Sequence, residues 1–225
     1  MTLLRYILLA LTVWAIPTFF LEIYGDSIGS MSSHAMFVLF ILYYAAVSKG
    51  RLLFPFLLLG LSYYLISGLV YVADFEDYIY KVIKFVIFIV VGAEIAKRTS
   101  KNEFYIFLLI GGVSVLVNAL FFPDDYGRYS GFYLNPNTAG VLALIGYGLS
   151  FMIERKALKI LGFIVFTLAG VITLSRYFLL MWLVLSFVSL YFNRKNAVVF
   201  GFGFGVLVFV LSISTILQLN TMRFS

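Results

Sequence analysis

The feature that most constrains this chain is a set of nine long apolar runs separated by short polar joints. The runs cover residues 3–21, 28–47, 52–72, 78–96, 104–122, 137–153, 160–174, 177–192 and 197–219. Crossing a bilayer as a helix takes about 20 residues. Inside each run the apolar residues are continuous, not alternating, which fits helices and not the strands of a membrane barrel. Composition agrees: 63% of the chain is hydrophobic and 12% is charged, whereas soluble domains are roughly half apolar and about a quarter charged. One aqueous domain of 225 residues could not hide so much apolar surface. The sequence therefore predicts an all-α, polytopic membrane helix bundle of about nine transmembrane helices. It forms one transmembrane domain over residues 1–225. The lipid bilayer is its solvent, and little length is left for a folded extramembrane domain. A nucleic-acid-binding module is excluded, although the net charge is +6.

The joints alternate in charge. Arg5, Lys49, Arg51, Lys97, Arg98, Lys101, Arg155, Lys156, Lys159, Arg194 and Lys195 fall on one set, eleven of the sixteen basic residues. The positive-inside rule makes that set cytoplasmic, so the N-terminus is inside and the C-terminus outside. The other set holds Glu22, Asp26, Asp74, Glu76, Asp77, Asp124 and Asp125, with Lys81, Lys84, Arg128, Arg176 and Arg223. The basic balance is thus mostly orientation. Topology does not explain the outer arginines, because it disfavours cations on that side.

Arg5 precedes an apolar run, as in a signal peptide. No small-x-small cleavage site comes before Glu22, so this segment is expected to stay as the first helix. The chain has no cysteine, which excludes disulfides, thiol catalysis and Cys-ligated metal. His34 is the single histidine and is read as an interfacial packing or loop residue. No metal or cofactor site is predicted.

Residues 160–192 must cross twice to keep Arg194 and Lys195 inside. Each arm then has about 16 residues and reaches roughly 24 Å, against a hydrocarbon core of about 30 Å. The Ser175-Arg176 turn is therefore expected at or below the outer interface. Arg176 either snorkels there or faces a wet cavity, and an ionisable residue at such depth marks a functional site. Lys84, a turn or so into its run, falls under the same rule. Pairing of Glu76 or Asp77 with Lys81 is the local alternative for that cluster.

The longest polar joint, residues 123–137, reads PDDYGRYSGFYLNPN. Pro136 suits the first turn of the next helix, and Asn135 suits its N-cap. The same helix start beside Arg128 also makes an anion site, through open N–H groups, the helix dipole and a forked guanidinium. Both readings stand at this level. Gly131 suits a tight turn or a close backbone approach. Tyr126, Tyr129 and Tyr133 suit either sugar stacking or an interfacial belt. Gly201, Gly203 and Gly205 give a small-residue face, with a Gly-x-x-x-Gly spacing at 201 and 205, fit for close helix packing.

The Arg-x-x-Gly-x-x-x-Asn-Pro-Asn run from Arg128 to Asn137 resembles the O-antigen ligase and O-antigen polymerase family of bacterial envelopes. The Ser175-Arg176 pair and Arg223, at the outer end of the last run, match further positions of that family. The resemblance covers roughly residues 126–225. It implies a metal-independent membrane glycosyltransferase of the bacterial inner membrane, working at the periplasmic face in surface polysaccharide and lipopolysaccharide assembly. The donor would be a glycan on undecaprenyl pyrophosphate, and the acceptor a lipid-linked core sugar or another glycan. Arg128, Arg176 and Arg223 would hold the pyrophosphate, with Gly131, Asn135, Asn137, Tyr129 and Lys84 as further substrate contacts. Breaking a sugar–phosphate bond leaves charge on pyrophosphate, which fixed cations stabilise. In this family a large outer loop follows at the place where the present chain stops, so the chain is expected to be the front part of a longer protein.

Two other classes compete with the enzyme. A transporter or flippase of lipid-linked glycan would also use arginines, but calls for polar residues deep in several spans and an inverted repeat. The candidate residues here cluster at one face instead. A non-catalytic membrane subunit is the third reading.

Overall fold

The structure is a computed structural model that describes residues 1–47, 54–68, 75–122 and 127–216. Among these residues every regular element is helical, with ten α-helices, two 3₁₀ turns and no strand. The helices are α1 (Thr2–Val13), α2 (Ile16–Tyr24), α3 (Asp26–Ala46), α4 (Phe54–Gly68), α5 (Phe75–Arg98), α6 (Lys101–Phe121), α7 (Pro136–Ser150), α8 (Lys156–Ile172), α9 (Arg176–Phe192) and α10 (Ala197–Ile216).

The all-α expectation holds for the described residues, but the nine expected spans do not all form helices of crossing length. Among the described residues, α3 and α6, each of 21 residues, are long and apolar enough, and the α1–α2 pair would count as a third. Helix α4, helix α9 and residues Ala197–Phe209 of α10 are apolar but shorter. The first expected span, 3–21, is broken: α1 and α2 bend by 57°, and Ala15 between them takes φ 50°. Pro17 accounts for the break, since it offers no N–H to the preceding turn and its ring crowds the carbonyl four residues back.

The chain divides into two compact units. The first comprises Met1–Thr12 and Ile16–Ser100. There α2 doubles back onto α3 at Gly25, whose φ of 85° suits glycine. Gly29 permits the close pairing that follows, because a Cβ on it would lie 2.5 Å from the Leu21 Cα. Helices α3 and α4 both pack on α5. Phe37 and Phe40 of α3 meet Phe88 edge-on at 5.2 Å between ring centroids. Near the end of α5, Glu94 is buried and paired with Lys97 at 3.0 Å.

The second unit comprises Val13–Ala15 and Lys101–Ser225. Its core is aromatic, built on Tyr105, Tyr147, Phe163, Phe166, Phe178 and Trp182. Buried hydroxyls there need partners: Tyr105 pairs with Ser150 and Tyr147 with Ser186, both at 2.9 Å. The Trp14 indole donates to the Phe107 carbonyl at 2.9 Å, which ties the short joint to α6. The expected small-residue packing on α10 is seen at one of the three glycines. Gly203 is the residue that meets a neighbour, the Trp182 ring, whereas among the described residues nothing lies within 4 Å of a Cβ built on Gly201 or Gly205. Two residues along a helix is about 200° of rotation, so the two faces cannot serve one contact.

Outward faces in both units are apolar, with Leu65 at 73% and Tyr191 at 86% exposure. Apolar surface on this scale is rare on a monomer in water. It is compatible with membrane association.

Candidate functional site

The segment after α6 is fixed from its own backbone outward. Asn118, near the end of α6, accepts from the N–H groups of Ser130 (3.4 Å) and Gly131 (3.3 Å) through its side-chain oxygen. Ser114 Oγ accepts from the Phe132 N–H at 3.3 Å and donates to the Gly111 carbonyl at 2.7 Å. Gly131 takes φ 57°, and a Cβ there would stand 2.4 Å from Ser114 Oγ. Tyr129 and Tyr133 are buried with Val115, Ala139 and Ala169. Tyr129 is thus a packing residue, and its ring does not present a face for sugar stacking. The Tyr133 hydroxyl has no hydrogen-bond partner among the described residues, and burial pushes its phenol well above the usual range.

Arg128 joins this segment to two helix starts. Its Nε donates to the Thr173 carbonyl at 3.0 Å, and its Nη2 donates to Asn137 Oδ1 at 3.1 Å. Two of five guanidinium donors are thereby used, and the rest have no acceptor among the described residues. Asn137 opens α7 with Pro136, and Asn135 caps it, accepting from the N–H groups of Asn137 (2.9 Å) and Thr138 (3.4 Å). Thr173 and Ser175 form the turn between α8 and α9, and Ser175 caps α9 by accepting from the Phe178 N–H at 3.5 Å. The two starts touch, because a Cβ on Gly140 of α7 would lie 2.9 Å from Ser175 Cβ and 3.2 Å from Thr173 Oγ1. Both helix caps are preceded by a leucine in the left-handed region, Leu134 at φ 57° and Leu174 at φ 48°. Bulky residues adopt that conformation at a cost of about 1–2 kcal/mol, and such strain gathers at functional sites.

Of the two readings of the Asn-Pro-Asn run, capping is the one realised at Asn135. The α7 N–H groups that an anion would need are taken by its side chain. Helix α9 differs. Arg176 is its first residue and is exposed. The backbone N–H groups of Arg176 and Tyr177 have no acceptor among the described residues. The open end that carries the positive half of a helix dipole is therefore that of α9.

Arg128, Gly131, Asn135, Asn137 and Arg176 lie together at one end of the second unit. Lys84 lies on α5 in the first unit, between the rings of Tyr80 and Phe37. Arg223, together with Lys49, Arg51, Asp74, Asp124, Asp125 and Tyr126, falls outside the described residues. Sequence reasoning missed Asn118 and Thr173. Asn118 carried a signal, an amide within an apolar run. Thr173 contributes a main-chain carbonyl, which no side-chain pattern announces. No family model matches this chain, and no curated protein or solved structure matches it either.

Proposed function

We propose that the chain is a multi-pass glycosyltransferase of a bacterial inner membrane, of the O-antigen ligase and polymerase type. It takes a glycan from undecaprenyl pyrophosphate and passes it to a glycan or lipid acceptor at the outer face. The observation that carries this reading is Arg128, held by Asn137 and by the carbonyl of Thr173 at the point where α7 and α9 begin. A cation fixed before the reaction pays no reorganisation when charge develops on a leaving pyrophosphate. Arg176 adds a second cation on the open start of α9, with two N–H groups beside it. Arg223 completes the set of cations in this reading. Nine segments cross the bilayer, among them α8 and α9. Each has 17 residues and reaches about 25 Å.

The test replaces Arg128, Arg176 and Arg223 singly by Ala in the full protein and follows transfer from a radiolabelled undecaprenyl-pyrophosphate glycan. Losses of at least about tenfold are expected for a contact that strengthens in the transition state. Full activity in all three variants would refute the reading.

A further inference from the structure

The single histidine sits in a cluster that glycan transfer does not use. His34, on α3, places Nδ1 2.7 Å from the Ser30 carbonyl. A carbonyl only accepts, so Nδ1 carries the hydrogen, and in the neutral ring Nε2 is an acceptor. Tyr80 of α5 donates its hydroxyl hydrogen to that nitrogen at 2.7 Å. Lys84, one turn further along α5, holds its ammonium 4.1 Å from the Tyr80 ring centroid and 5.3 Å from that of Phe37. Among the described residues no carboxylate pairs with Lys84 and no acceptor takes its three donors. His34 and Tyr80 are exposed and Lys84 is half-buried, so the cluster opens outward.

We propose that His34, Tyr80 and Lys84 form a proton-coupled binding site for a phosphate-bearing anion, built wholly within the first unit. With His34 neutral, the Tyr80 hydrogen is committed to Nε2 and Lys84 is the one cation of the cluster. Protonation puts a hydrogen on Nε2, which then donates to the Tyr80 oxygen. The Tyr80 hydrogen is released to turn outward. The cluster gains a second positive charge and a free hydroxyl donor beside the ammonium. A phosphate, with several acceptor oxygens, takes both donors at once. Proton uptake and anion binding therefore strengthen each other by the same factor.

The charged groups around the imidazole are of both signs. Helix α3 packs on α2 and α5. From α5 His34 is faced by Tyr80 and Lys84, with Glu76 and Lys81 flanking Tyr80 along the chain. On α2 the charged residue is Glu22, next to Leu21, which meets Gly29; His34 lies five residues further, roughly 7 Å along the axis. Asp26 of α3 is two turns before His34. The proposal stands whether or not the chain transfers glycan.

One histidine gives one imidazole signal, so the full chain labelled with [15N]histidine reports the site directly. It is titrated from pH 5 to 8 in phosphatidylcholine nanodiscs, with and without inorganic phosphate. The titration is repeated with phosphatidic acid replacing part of the phosphatidylcholine. The imidazole midpoint is expected to rise by about one pH unit, a tenfold tighter hold on the anion by the protonated form. A rise with phosphatidic acid alone assigns the site to a lipid headgroup, and a rise with both, or with inorganic phosphate alone, assigns it to phosphate free in solution as well. Lys84→Met is expected to abolish most of the rise. Tyr80→Phe keeps the ring under Lys84, so the anion still binds, but with a flattened pH dependence. A midpoint unmoved by either phosphate source overturns the proposal. So does an equal rise in the wild type and Lys84→Met, which would report membrane surface potential alone.

Discussion

Arg128 has a structural task and a proposed chemical one, and Asn137 is the residue that can separate them. Asn137→Asp keeps the side-chain shape and puts a carboxylate where the amide oxygen now accepts from Arg128 at 3.1 Å. The contact becomes an ion pair, so thermal stability should hold or rise, while the charge available to a diphosphate is cancelled. Donor-lipid binding is expected to weaken by roughly tenfold, about 1.4 kcal/mol, at an unchanged melting temperature; unchanged binding would leave Arg128 with the structural task only. Tyr133 makes a second prediction at this scale. Its buried hydroxyl lacks a partner among the described residues, so Tyr133→Phe should stabilise the fold by about 1 kcal/mol. The folded phenol is raised above its unfolded value. The stability tied to it is therefore complete below about pH 10 and is lost as pH climbs toward the folded value. Melting curves at neutral and strongly alkaline pH should show the wild type losing more than Tyr133→Phe.

At the scale of the helix, the start of α7 is the element most open to a direct test. Removing the cap with Asn135→Ala is expected to cost about 1 kcal/mol, whereas Asn135→Asp should be nearly neutral; denaturant melts of the two variants decide it. This start was legible in the sequence, because Asn before Pro is a local signal that needs no tertiary partner. The start of α9 was half legible. Its place followed from the length of residues 160–192, but the touch of Gly140 on Ser175 depends on how two helices meet. The α1–α2 break was missed because hydropathy averages over Pro17, which adds little to the apolar sum yet removes a main-chain donor. On α10 the three glycines were legible as a packing surface, but which of them is used was not. A Gly-x-x-x-Gly spacing shows that a helix can be approached closely, but not from which side its neighbour comes, and Trp182 comes to Gly203. Tyr129 stands in irregular chain, where no periodicity separates a buried ring from an exposed one.

For the whole molecule, the sequence made the helical class plain and left the number of crossings to the parse of its charges. The absence of cysteine from these 225 residues makes that parse easy to examine, since a thiol introduced among them is the sole one they hold. Single substitutions Asn137→Cys and Tyr177→Cys should react with a membrane-impermeant maleimide in cells whose outer membrane alone is opened. Lys156→Cys should react only after the inner membrane is opened too. Labelling of Lys156→Cys from outside would reverse the proposed orientation.

In the proposed topology the brevity of α8 and α9 has a consequence for the membrane itself. Two adjacent helices of about 25 Å do not match a hydrocarbon layer of about 30 Å, and the cheaper partner to deform is the lipid. The bilayer would dip beside this hairpin and carry its headgroup layer down toward Arg176. A lipid-borne pyrophosphate would then meet the arginines without leaving its own leaflet. Transfer measured in bilayers of graded acyl-chain length should be fastest in the thinner ones and fall as the chains lengthen.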